Sequence, residues 1–132
     1  YLISSSLIGV MAQRLVRRLC TKCRIAHELL DSQCRELGLD PLRLQSRAVY
    51  RARDTGCNEC QFTGYRGRMG IHEMLLIDDN VRNMIMARAN ANQIRAAASG
   101  LSSLRADGAK KILQGVTSFD EVLRVTQEDT AA

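Results

Sequence analysis

Cys20-Thr-Lys-Cys23 and Cys57-Asn-Glu-Cys60 are the stretches that decide how this 132-residue chain is read. Each Cys-x-x-Cys hook closes a tight turn that brings two sulfurs to one point, and two hooks together offer four thiolates to one tetrahedral zinc. No basic segment followed by an apolar run opens the chain, so no export signal is visible and a disulfide framework is not expected. Two unrelated redox or buried cysteine pairs are the remaining alternative. The 33 residues between the hooks exceed the ~15–20 of a simple zinc ribbon, so that gap must carry secondary structure of its own. The fifth cysteine, Cys34, shares the inner face of an expected helix with Leu30 and Leu37 and is read as a small buried hydrophobe.

Working upstream, Ile8, Met11, Ala12, Leu15, Val16 and Leu19 recur at helical spacing, which predicts a helix from Ser6 to Leu19 with Ser6 as its cap. Tyr1-Leu-Ile3 reads as the end of a buried strand in something larger. Between the hooks, Glu28 to Leu37 predicts a short helix ending at Gly38, Asp40-Pro41 a second turn, and Ala48 to Arg53 a strand. Downstream, glycines 64, 67 and 70 suit tight turns or close backbone approach, and Ile71 to Ile77 follows as a buried strand. Four helices are expected after that: Asn80 to Ala89, Asn92 to Ser99, Ser103 to Gln114 and Phe119 to Thr126. Ser118 and Glu121 form a capping box at the start of the last, and Gly115 stops the one before.

Apolar residues make up 45% and charged residues 25% of the chain, as in ordinary globular proteins. Its longest apolar runs fall far short of the ~18 residues of a membrane span. The charge is uneven: Arg14 to Arg68 holds 12 Lys/Arg against 6 Asp/Glu, and Met69 onward holds 7 against 8. Nucleic acid is one candidate partner for such a basic segment, and solvated surface is the plainer one. A third reading places Arg17, Arg18, Lys22 and Arg24 around a zinc-tetrathiolate of net charge −2. Only five aromatic residues are present, too few for a base-stacking platform.

No catalytic constellation stands out. His27 and His72 lack a nucleophile motif beside them, and His72 in a strand reads as a satisfied core residue. Asp78 and Asp79 read as the acidic entry to a helix. Four-cysteine zinc is a closed, structural site.

Two segments then resemble a known family. They are Ala12-Gln-Arg-Leu-Val-Arg-Arg-Leu-Cys-Thr-Lys-Cys23 and Gly56-Cys-Asn-Glu-Cys-Gln-Phe-Thr-Gly-Tyr-Arg-Gly-Arg-Met-Gly-Ile-His-Glu73. Together with the tail around Gly115-Val-Thr-Ser-Phe-Asp-Glu121, they resemble the C-terminal part of type II secretion ATPases, protein E of the general secretory pathway, and the related type IV pilus assembly ATPases. The resemblance covers essentially the whole chain, and its wording up to Cys20 leans toward type II secretion. The Pro that often follows the family's first cysteine is replaced by Thr21.

The resemblance implies a longer parent with a RecA-like core, working as a hexameric ATP- and magnesium-dependent motor in the cytoplasm, at the inner membrane of a Gram-negative bacterium. Its partners would be neighbouring subunits and inner-membrane platform proteins. No phosphate-binding loop lies in these residues, so no catalytic residue carries over; Cys20, Cys23, Cys57 and Cys60 do, as zinc ligands. The expected fold class is α/β, more narrowly an α+β fragment. Residues 1–19 would be the edge of a RecA-like core, 20–68 a tetracysteine zinc module, and 69–132 a return strand with a small helical bundle. A free-standing zinc module that binds nucleic acid or a protein partner is the alternative.

Overall fold

The computed structural model describes residues 9–97 and 103–131. Two long strands, β1 (Gly9–Leu19) and β4 (Tyr65–Leu76), form an antiparallel ribbon, and two short ones, β2 (Ile25–Glu28) and β3 (Ala48–Arg51), form a second. Helix α1 (Asp31–Glu36) lies between β2 and β3, and a single 3-10 turn covers Asn58–Cys60. Four helices close the chain: α2 (Asp79–Met86), α3 (Ala91–Ala97), α4 (Leu104–Leu113) and α5 (Phe119–Ala131). The mixture of small sheets and helices is the α+β architecture expected. The strand end placed at Tyr1–Ile3, the cap at Ser6 and the last residues of the helix reaching Ser99 lie outside the described residues.

The described part of the helix expected from Ser6 to Leu19 is a strand. Its apparent helical face would have buried Met11 and Leu15 together with Val16. Instead Met11, Ala12 and Leu15 are exposed, the first and last by 60% and 50%, and only the adjacent Val16 is fully buried, so these apolar residues do not share one buried face. Continuous pairing with β4, from Gly9 opposite Leu76 to Arg17 opposite Arg68, outweighs the local spacing. The register then shifts, with Leu19 opposite Tyr65. The extra residue sits on β4, where Gly67 takes a φ of 82°, a left-handed conformation that glycine adopts without strain. Val16 and Leu19 are the two buried side chains of the described part of β1. β4 accordingly begins six residues before the expected Ile71.

Helices from the C-terminal part cover both outer edges of this ribbon. On the β1 side, the Leu19 N–H donates to Val116 O at 2.8 Å, the Thr117 hydroxyl donates to Arg17 O at 2.8 Å, and the Arg17 N–H donates to Glu121. On the β4 side, the His72 N–H donates to Asp107 Oδ2 at 2.8 Å. His72 is therefore an exposed edge residue, its ring 3.8 Å from Asp107, and not the core histidine expected.

A single apolar cluster runs through the molecule. Val16 and Ile71 come from the ribbon, Leu29, Cys34, Leu37 and Val49 from the segment between the hooks, and Leu104, Ala109, Ile112 and Val122 from α4 and α5. Cys34 is fully buried there, as its position on α1 predicted. Gly38, φ 74°, and Gly115, φ 79°, end α1 and α4 in left-handed caps, also as expected. Asp78 caps α2 by accepting from the Val81 N–H at 2.9 Å.

Candidate metal centre

The two hooks meet where β1 ends and β4 begins. Cys20 follows β1 directly, and its N–H donates to Gly64 O at 3.0 Å, so the backbone of one hook is tied to that of the other. In the second hook the chain turns through Asn58–Cys60, and Gln61 follows in the left-handed region at φ 56°. Gly56 lies under this turn: a Cβ there would stand 2.4 Å from the Phe62 carbonyl carbon, so any side chain displaces the knuckle.

The Cys20 and Cys57 sulfurs are 3.7 Å apart, Cys23 and Cys60 3.8 Å, and Cys57 and Cys60 3.8 Å. All four lie within 4.8 Å of one another. A disulfide needs about 2.05 Å, so these are separate thiols. A tetrahedron of sulfurs with Zn–S bonds of about 2.3 Å has edges of about 3.8 Å, and these three spacings match it. These four residues could hold a metal ion, and their geometry is compatible with zinc. The fifth cysteine, Cys34, belongs to the apolar cluster and not to this group.

Electrostatics point the same way. Burial raises the Cys60 thiol, but the N–H groups of Cys57 and Gly64 donate to its sulfur, both at 3.2 Å, and bring it down to about 6. Burial also opposes ionisation of Cys20, and the N–H groups of Lys22 and Cys23 lower it on balance. Cys23 is pushed up to about 12 by burial and by its hydrogen bonds with the neighbouring sulfurs. Four crowded thiols do not all ionise alone; a soft dication at their centre favours the thiolate at each.

The arginines expected around the cluster are divided. Arg17 reaches away from it, to Glu121 and over the Tyr65 ring at 4.2 Å. Arg24 lies 3.9 Å over the Tyr50 ring and donates to Gly115 O at 2.8 Å. These contacts dock the first hook on the turn between α4 and α5, where a Cβ on Gly115 would meet Tyr50 at 3.1 Å. Spacing in the sequence gives no sign of the Arg24–Tyr50 pair, since Arg24 precedes β2 and Tyr50 lies on β3, 26 positions on. The Cys60 sulfur takes its two N–H donors from the backbone, at Cys57 and Gly64, and not from an arginine.

A match to the type II/IV secretion system protein family spans residues 1–124. The chain belongs to that family. It is 47% identical over 132 residues to type II secretion system ATPase E of Vibrio cholerae, covering 97% of this chain and 25% of that protein. It is 44% identical over 130 residues to type II secretion system protein E of Pseudomonas aeruginosa, at 98% and 25% coverage. Type IV pilus assembly ATPase PilB of Thermus thermophilus is 43% identical over 128 residues, at 96% and 14%. The chain thus spans about a quarter or less of the length of these family members. Among the described residues, no helix is long and apolar enough to cross a membrane.

Proposed function

We propose that this chain is the zinc-binding C-terminal part of a hexameric secretion motor ATPase that powers type II protein secretion, and that its own role is structural and docking. The observation that carries the reading is the four-sulfur tetrahedron, set in a chain that resembles the secretion ATPases over nearly its whole length. Cys20, Cys23, Cys57 and Cys60 would hold the zinc, which supplies a cross-link and no open coordination position. ATP and magnesium belong to a nucleotide core outside these residues. Type IV pilus assembly is the second reading, favoured by the pilus ATPase relative.

The hooked segment leaves β1 and returns on its paired strand β4, so a change at the metal need not reshape a nucleotide pocket elsewhere. The arginine face around Arg66 and Arg68 would then dock a neighbouring subunit or an inner-membrane platform protein in the cytoplasm.

The test is Cys57→Ser in the full-length motor. Secretion is expected to stop while nucleotide affinity stays within about threefold, about 0.65 kcal/mol. Normal export by a metal-free variant of normal abundance overturns the docking role. Loss of nucleotide binding in step with zinc would make the hooks part of the core's own fold. Rescue of pilus assembly instead of secretion, by the parent gene in deletion strains, selects the second reading.

A further inference from the structure

Beside the metal centre lies a cavity of about 420 Å³, lined by Arg18, Lys22, Arg24, Arg66 and Arg68, with Gly115 and Val116 on its far wall. No aspartate or glutamate lines it. The register shift at Gly67 builds this concentration of charge. It brings β4's Arg66 and Arg68 to the end of β1, where the stem of Arg18 passes over Gly67, its Cδ 3.7 Å from where a Cβ would stand. The first hook adds Lys22 from the other side.

These cations differ in how they are held. Arg24 is fixed by Tyr50 and Gly115, so its guanidinium is already ordered. Arg66 pairs with Glu59 at 3.2 Å. Arg18, Lys22 and Arg68 have no carboxylate partner among the described residues. Cys20 forms part of the wall, and a zinc-tetrathiolate would offset two of the positive charges. Even with that and Glu59 set against the five cations, the cavity stays net positive.

We infer that this cavity is a binding site for a phosphate-bearing ligand with more than one negative charge. Crowded like charges in a concave wall repel one another and concentrate anions from solution. Arginine's forked guanidinium matches the oxygens of phosphate, and the cavity falls within the ~300–1,000 Å³ of ordinary ligand sites. A single carboxylate would leave half of that net charge uncompensated. Cys20 is the one metal ligand in its wall; the cations that form the site are not ligands, and the site does not depend on the motor reading.

A soluble polyphosphate and a lipid headgroup share this chemistry, and two probes separate them. The zinc-loaded protein is titrated with inorganic tripolyphosphate, and separately sedimented with vesicles of equal parts phosphatidylcholine and phosphatidic acid, whose phosphomonoester can carry a second negative charge. Both are done at physiological ionic strength, where a Debye length of about 8 Å suppresses diffuse attraction. Arg18→Gln with Lys22→Gln, and Arg68→Gln alone, are each expected to weaken binding at least about tenfold with zinc content and circular dichroism unchanged. Arg43→Gln, at an 89% exposed position outside the cavity, is the control and should change little. Pocket-dependent binding of tripolyphosphate identifies a soluble ligand, and of vesicles alone a headgroup. No binding of either probe overturns the site, as does binding that the control weakens as much as the cavity variants.

Discussion

The main-chain N–H of Arg17 donates to Glu121 Oε2 at 2.8 Å, and the Arg17 guanidinium grips the same carboxylate through Nε and Nη2 at 3.1–3.2 Å. A side chain of α5 thereby takes the place of a third strand on the edge of β1. Ser118 supplies half of the expected capping box, accepting from the Glu121 N–H at 3.1 Å, while the Glu121 carboxylate is turned to Arg17 and to Arg124 at 2.9 Å. Glu121 is 1% exposed, and its two arginines are 46% and 60% exposed, so the acid is the member that depends on the pairing.

Glu121→Gln should therefore destabilise the fold by about 2 kcal/mol, because the bonds from five N–H donors of Arg17 and Arg124 to one buried carboxylate are weakened at once. Arg124→Gln should cost less than about 1 kcal/mol, as an exposed partner does. Urea unfolding of the zinc-loaded proteins measures both. Equal costs would mean that the carboxylate is not the pivot.

The same residue sets a pH dependence. Burial would raise the Glu121 carboxyl, but the bonds from Arg124 and Arg17 outweigh it and hold it at about 2, against 4.5 when unfolded. A lowered folded value means that its contribution is complete above 4.5 and disappears as pH falls from there toward about 2. Acid also protonates the thiolates and releases zinc, so the informative quantity is the difference between the wild type and Glu121→Gln. That difference should shrink on acidification; a constant gap would contradict the lowered carboxyl.

Metal content tests the hooks. One zinc per chain is expected, and Cys57→Ser should lose it and unfold at least the segment between the hooks, since structural zinc contributes ~10 kcal/mol or more of apparent binding energy. Cys34→Ala should keep the metal and cost about 1 kcal/mol for the small void it leaves. Elemental analysis with limited proteolysis distinguishes these outcomes, and zinc retained by Cys57→Ser would refute the four-ligand site.

Gly108 marks where α4 touches α5. A Cβ there would lie 2.4 Å from Val122 Cγ1 and 3.0 Å from its Cγ2. Gly108→Ala gains about 1 kcal/mol of helix propensity but must separate two packed helices, so a net loss of about 1–2 kcal/mol is expected. Pairing it with Val122→Ala should recover part of that loss in thermal unfolding. Greater stability from Gly108→Ala alone would show that the helices part freely.

The convergence of the two sulfurs within each hook was legible in the sequence because its signal is local: a spacing of two residues closes each tight turn. The helix stops at Gly38 and Gly115 and the Asp78 cap were legible for the same reason, each resting on a conformation or a hydrogen bond within one turn. The segment from Gly9 to Leu19 was not. Its apolar residues fit a helical face as well as a strand, and only ten paired positions on β4, 46 to 67 residues away, choose the strand. Arg17's partnership with Glu121 spans 104 positions, and Arg24's with Gly115 spans 91. No spacing rule reaches that far. Charge composition showed that the hooked segment is basic; the left-handed Gly67 and the register shift beside it decided that five of those cations line one cavity.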